Sequence, residues 1–225
     1  MLPLGDDNSS RRTFPIINYA LIAINILVFV LFELTNPDLD SFLTRWGTIP
    51  AQIVAGKGLE TLLTSMFLHA NLVHIGGNML FLWIFGDNVE DAFGHVLYII
   101  FYLVCGFAAS LAQVLVGPSS TIPGVGASGA IAGVLAAYIV LFGARPVRVL
   151  LGPTVTSVPA YLMIGLWIVT QLVSGFGSLG DTASGGVAYF AHIGGFFAGL
   201  ILTFLLRGFV GSRTTGSTAG RQMTR

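Results

Sequence analysis

Six stretches of the chain consist almost wholly of apolar residues, near 14–34, 72–86, 95–116, 128–143, 158–175 and 186–207. A helix needs about 20 mainly apolar residues to cross a bilayer, and only the second and fourth stretches are short for that. Charged residues make up 9% of the 225, against roughly 25% in a soluble domain. With 54% hydrophobic residues and a mean hydropathy of +0.85, such a surface cannot mostly face water. The expectation is an all-α membrane protein, a bundle of six transmembrane helices over residues 14–207. The polar segment 1–13 is expected to be disordered, and the tail 208–225, rich in Gly, Ser and Thr, to be flexible. The first apolar run, Phe14 to Phe32, is long enough to span and has no clear small-residue cleavage site after it, so it reads as a span and not as a cleavable signal.

Lys and Arg set the orientation, because they gather on the cytoplasmic side of short loops. With the N-terminus inside, Arg11, Arg12, Arg145, Arg148, Arg207, Arg213, Arg221 and Arg225 are cytoplasmic, and only Arg45 and Lys57 are outside. Eight against two predicts both termini in the cytoplasm, with Asp87, Glu90 and Asp91 in a cytoplasmic turn. The first loop, 35–71, contains "FLTRWGTIPAQIVAG", too apolar for a solvated linker and too broken to span. It is expected to lie in the membrane interface, with Trp46 at headgroup depth. A net charge of zero and the lack of a basic tract argue against nucleic acid as a partner. One cysteine, Cys105, leaves no intramolecular disulfide, and four histidines without an HExxH pattern argue against a zinc site. No cofactor or metal is expected.

Against this apolar background the polar residues stand out. In the predicted topology the second, fourth and sixth helices all run inward. His74 and Asn78 then lie in the outer half of the second, on one face at i and i+4, with His69 just before it. Ser128 opens the fourth, in "GVGASGAIAGV". His192 lies about 9 Å into the sixth at ~1.5 Å per residue. Each also has a structural reading. Ser128 suits close helix packing, and His74 and Asn78 can serve as hydrogen-bonding glue between helices. An ionisable residue inside a span, such as His192, is a functional candidate by default. Small residues recur at Gly129, Gly133 and Ala137 in the fourth helix and at Ala188, Gly195 and Gly199 around His192 in the sixth. Such stripes let backbones approach closely. They would bring a serine hydroxyl and an imidazole within reach of each other, a nucleophile and its base.

The segments "GASGAIAG", "HANLVHIGGN" and "AHIGGFFAG" together resemble the rhomboid intramembrane serine proteases, in their G-x-S-G, H-x-x-x-N and A-H-x-x-G-x-x-x-G patterns. The segment "GDNVEDAFG" is similar to the family's G-x-x-x-E-x-x-x-G. The resemblance covers about residues 40–205 in the expected order. It implies a serine endopeptidase that cuts transmembrane segments of other membrane proteins, at small residues in helices that unwind easily. It implies Ser128 as nucleophile, His192 as general base and acid, and His74, Asn78 and the Ser128 backbone N–H around the oxyanion. Its implied setting is the inner (plasma) membrane of a prokaryotic cell. No buried Asp is evident to orient His192, since Asp181 falls in the preceding loop, so a Ser–His dyad is expected. The sequence departs from the family at Glu60-Thr61, where many members carry Trp-Arg, which bears on the seating of the first loop.

Two other classes are considered. A non-catalytic binder of membrane proteins would lack the serine or the histidine, and this chain has both. A small transporter is disfavoured by the lack of deep charged residues or an inverted repeat. The Gly-rich "SGFGSLGDTASGG" before the sixth helix reads equally as a mobile lid and as a plain loop.

Overall fold

The apolar stretches fold as helices, and the polar segments between them are far more structured than their composition suggests. The computed structural model describes residues 1–178 and 187–215. In chain order the elements are β1 (Leu2–Gly5), α1 (Ile16–Val28, extended by a π turn to Glu33), α2 (Leu39–Trp46), α3 (Pro50–Val54), α4 (Thr61–Thr64, extended by a 3₁₀ turn to Phe67), α5 (Leu72–Phe93), α6 (His95–Val116), α7 (Ser128–Phe142), β2 (Pro146–Leu151), β3 (Thr154–Pro159), α8 (Ala160–Gly177) and α9 (Tyr189–Thr215).

Among the described residues four helical segments are long and apolar enough to cross a membrane: 16–33, 95–116, 160–177 and 189–208. A fifth is added if α4 and α5, which meet at a bend of 91°, count as one broken span. With 15 residues α7 measures about 22 Å, short of the ~30 Å hydrocarbon layer. It is nonetheless the centre of the bundle, and every residue from Gly129 to Tyr138 is buried. Exposed leucines, valines and phenylalanines ring the outside instead, on α1, α6, α8 and α9. That inversion suits a lipid solvent.

The core is set by the packing of α7 against α6 and α9. A Cβ added at Gly195 would stand 2.0 Å from the Gly129 carbonyl oxygen, and one at Gly199 would stand 2.5 Å from the Gly133 Cα. The stripes read from the sequence are therefore sites where two backbones touch.

At the far end of α5 the expected polar turn does not exist. Asp87, Glu90 and Asp91 continue the helix for two more turns, to Phe93. Gly94, at φ +78°, turns the chain directly into α6. Glu90, fully buried, accepts from the backbone N–H groups of Ile17 (3.0 Å) and Asn18 (2.7 Å), two donors that the first turn of α1 cannot satisfy internally. His95 Nδ1 completes it at 2.5 Å. Gly86 makes room for Asn18, whose amide donates to the Leu82 carbonyl and whose oxygen accepts from Tyr98. The G-x-x-x-E-x-x-x-G spacing thus joins α1, α5 and α6.

Residues 1–13, expected to be disordered, are tied to this end. β1 pairs antiparallel with β2, and β2 with β3, in a three-stranded sheet whose Pro3, Val147 and Val149 point inward. Arg11 pairs with Asp87 at 2.6 Å, and Asp91 accepts from the backbone N–H and the hydroxyl of Thr13. Asp6 accepts from Tyr138 and Asn88. Low hydropathy signalled disorder, but these polar groups have tertiary partners. The tail expected from 208 is helical through Thr215; residues 216–225, and most of the lid suggested before α9, lie outside the described residues.

The first loop folds as α2, α3 and α4. Asp38 caps α2 by accepting from the Ser41 N–H, and Arg45 lies over the Trp46 ring. At the departure from the family pattern, Glu60 is exposed. Thr61 is buried, donates to the Gly58 carbonyl at 2.6 Å, and accepts at its own carbonyl from Thr48.

Candidate active site

The site forms where α5, α7, α8 and α9 converge. Ser128 is the first residue of α7, half-buried, at the end of a loop that is held at several points. Thr48 and Gly124 exchange two backbone hydrogen bonds, and the Gly126 N–H donates to the Ser65 carbonyl at 2.8 Å. The loop in front of the serine is therefore fixed to the first-loop segment behind it. Gly126 has φ +127°, a conformation that favours glycine.

His192, on the second turn of α9, is buried, and its Nε2 lies 2.7 Å from Ser128 Oγ. The helix contact at Gly129 and Gly195 is what brings the two side chains within that distance. A hydroxyl hydrogen-bonded to a buried imidazole can lose its proton to the ring as it attacks an electrophile.

Asn71 caps α5 by accepting from the backbone N–H of His74 at 2.9 Å, which fixes the first turn of that helix. His74 and Asn78 then face the same point. A Cβ placed on Gly126 would lie 2.7 Å from His74 Nε2 and 3.6 Å from Asn78 Nδ2. An imidazole nitrogen and an amide N–H thus border the backbone two residues before Ser128. The Asn78 amide nitrogen is buried and has no hydrogen-bond partner among the described residues. Buried polar groups are almost always paired, so an orphaned donor calls for an explanation. His69 is not drawn to the Ser–His pair. Its backbone N–H donates to Glu33, and its ring sits edge-on to His74 with centroids 5.0 Å apart.

A cavity of about 370 Å³ opens beside the serine, lined among others by Thr48, Ser65, Ser110, Gln113, Gly126 and Ala188. Among the described residues no group of three His, Cys, Asp or Glu side chains could hold a metal ion.

Sequence reasoning missed two glutamines. Gln113 on α6 accepts from the Ala191 N–H at 3.2 Å and so steadies the start of α9. Gln171 on α8 places Oε1 2.7 Å from His192 Nδ1. The signal was present in both cases, a carboxamide inside an apolar stretch.

The rhomboid domain profile matches residues 57–209, more than half of the chain. The chain is 30% identical over 202 residues to "Rhomboid protease GluP" of Bacillus subtilis (strain 168), covering 88% of this chain and 37% of that protein. It is 34% identical over 176 residues to "RHOMBOID-like protein 7" of Arabidopsis thaliana, covering 76% and 52%. It is 30% identical over 193 residues to "Rhomboid protein 1, mitochondrial" of Saccharomyces cerevisiae, covering 81% and 51%. The matched region therefore spans between about a third and a half of these relatives' own lengths.

Proposed function

Since the chain belongs to the rhomboid family, we propose that it is an intramembrane serine endopeptidase that hydrolyses peptide bonds in or near transmembrane segments of other membrane proteins. The observation that carries this is the 2.7 Å approach of Ser128 Oγ to His192 Nε2, with Ser128 lining a cavity of about 370 Å³.

The steps follow from the geometry. Ser128 Oγ attacks the scissile carbonyl carbon while its proton passes to His192 Nε2. The carbonyl oxygen becomes an oxyanion facing Asn78 Nδ2–H, His74 Nε2–H and the Ser128 backbone N–H. The last of these is aided by the positive end of the α7 dipole. His192 then gives the proton to the leaving nitrogen as the C–N bond breaks, and a water activated by the same imidazole releases the acyl group from Ser128. This acyl transfer calls on no metal or cofactor. The shortness of α7 gives the site its depth: a helix some 8 Å shorter than the hydrocarbon layer puts one terminus inside it.

In the proposed topology six helical segments, α7 and the bent α4–α5 pair included, form the bundle, with both termini in the cytoplasm by the eight-to-two excess of Lys and Arg. The proposed setting is a prokaryotic plasma membrane, and the proposed substrates are transmembrane segments with small residues at the cut.

The test is cleavage of a generic transmembrane substrate by purified protein in detergent. Ser128→Ala keeps the small volume that the packing needs, so it should fold and should lose at least about 10⁴-fold in rate. His192→Ala should lose as much, and the double variant no more. A fluorophosphonate should label Ser128 in the wild type and label the His192 variant far more slowly. Normal cleavage by Ser128→Ala would overturn the proposal.

A further inference from the structure

We infer that Gln171 is a third member of the proposed site, a positioning residue that fixes His192 in the tautomer needed to accept the Ser128 proton. This rests on the Ser128–His192 reading above and adds to the expected dyad.

An imidazole has two nitrogens, and only one tautomer makes a base of the one facing the serine. Nε2 must offer a lone pair, so the hydrogen must sit on Nδ1. In serine hydrolases generally a carboxylate on Nδ1 enforces this choice, and a wrong tautomer costs about 10⁴-fold. Among the described residues no carboxylate fills that place. His192 Nδ1 instead faces Gln171 Oε1 at 2.7 Å, while Nε2 faces Ser128 Oγ at the same distance.

A carboxamide can accept or donate, so its direction decides the outcome. The partners on its other side decide that direction. Gln171 Nε2 points to the Trp167 carbonyl oxygen (3.5 Å) and to Thr170 Oγ1 (3.3 Å). Thr170 spends its hydroxyl hydrogen on the same Trp167 carbonyl, at 2.6 Å, and so presents a lone pair to the amide. Both groups want a donor. Turned round, the amide would set its oxygen against the carbonyl oxygen of Trp167. The amide oxygen therefore faces His192, Nδ1 carries the hydrogen, and Nε2 accepts from Ser128.

One turn of α8 thus fixes the proton positions of the whole chain of groups. Trp167, four residues before Gln171 and on the same helix face, also lies against the His192 ring, with centroids 5.6 Å apart. The ring is therefore oriented by a flat neighbour and by a hydrogen bond.

The role persists through the reaction without Gln171 changing its own protonation. When the Ser128 Oγ–carbon bond forms, the proton on Oγ moves to His192 Nε2 and the ring becomes an imidazolium with a hydrogen on each nitrogen. Gln171 Oε1 still accepts from Nδ1–H, now a stronger donor. When the C–N bond breaks, the Nε2 hydrogen leaves with the amine and the neutral Nδ1–H tautomer returns. An amide dipole gives less to the cation than a carboxylate would. It also places no full charge within a helix that faces lipid, where charge is costly.

Selective ¹⁵N labelling of histidine, read at a pH where His192 is neutral, reports which nitrogen carries the hydrogen. The wild-type protein should show Nδ1–H for His192, and this measurement needs no variant. Gln171→Leu should lose that preference and cleave with a kcat about 10- to 100-fold lower, since general base catalysis contributes about 10²–10⁴-fold and depends on the correct protonation state. Gln171→Glu keeps the size and an acceptor oxygen and should recover most of the lost rate. A wild-type spectrum showing Nε2–H, a Gln171→Leu variant with wild-type kcat and spectrum, or a Gln171→Glu variant no faster than Gln171→Leu would each overturn the assignment. Ser128→Ala assayed alongside separates the two levels. If it cleaves normally, the protease proposal has failed. If it is silent while Gln171→Leu cleaves at the wild-type rate, only the role of Gln171 has failed.

Discussion

Helix α5 carries a buried polar cluster at each end, and the two are built on opposite terms. At the C-terminal end Asp87, Asn88 and Glu90 are buried and matched, by Arg11, Asp6, Asn8, Arg145, His95 and two backbone N–H groups of α1. At the N-terminal end Asn78 is equally buried, yet its amide nitrogen has no partner among the described residues and faces the Gly126 backbone next to Ser128. An unpaired buried donor costs roughly 1–3 kcal/mol. The matched cluster joins helices, whereas in the proposed mechanism the unmatched one awaits an acceptor that arrives with a substrate.

Asn78→Ala should break this contrast most sharply. It removes a donor that has no partner among the described residues, so thermal stability should hold or rise slightly. Turnover should fall by about 10²–10³-fold, as for loss of one oxyanion donor elsewhere, with KM little changed. Unaltered turnover would make Asn78 a packing residue and erase the distinction between the two ends.

Glu90→Ala should do the reverse. Two backbone N–H groups at the start of α1, and His95, lose their acceptor at once. Stability should drop by about 2–4 kcal/mol, measured as a shift in the denaturation midpoint, while kcat of the protein that remains folded should stay near wild type. A loss of kcat at unchanged stability would mean that this end also takes part in chemistry.

The smallest effect sharpens the comparison from within the matched end. One oxygen of Asp6 is its exception, buried and without a partner among the described residues. Burial pushes this carboxyl up from 3.8 to about 6, against the opposing hydrogen bond from Tyr138 and the nearby charge of Arg145, with Asp87 adding to the rise. A folded pKa above the unfolded one means that the native state holds the extra proton between the two values. The contribution of Asp6 to holding residues 1–13 is therefore full below about pH 4 and is lost as pH rises through about 6. Amide exchange in β1 should quicken across that window, and Asp6→Asn should flatten the dependence. Exchange that does not vary with pH in the native chain, once corrected for intrinsic rates, would show that Asp6 does not govern the attachment.

Much of this was legible in the sequence because it rests on local spacing. Gly129 and Gly133 against Gly195 and Gly199 announced a close helix contact, and four-residue spacing put His74 and Asn78 on one face. What was hidden depended on partners far along the chain. The polar run from Asp87 to Asp91 reads as a turn until α1 supplies donors for Glu90. Residues 1–13 read as a solvated end until a hairpin beginning at Pro146 offers β1 an edge. Gln171 is a lone carboxamide in an apolar helix, and only its distance to His192 gives it meaning. Hydropathy measures each residue against its solvent and is blind to such pairings.

The sheet also sets an order of events. Leu2 pairs with Leu150, so β1 waits for the connection between α7 and α8 to be made. At about 5–20 residues per second that wait is on the order of ten seconds, during which the intervening helices enter the membrane. β1 can add to β2 only once α7 and the hairpin after it are in place. The N-terminal strand is thus a latch that closes after the central helix has been made, and its protection from exchange during synthesis would time the formation of the sheet.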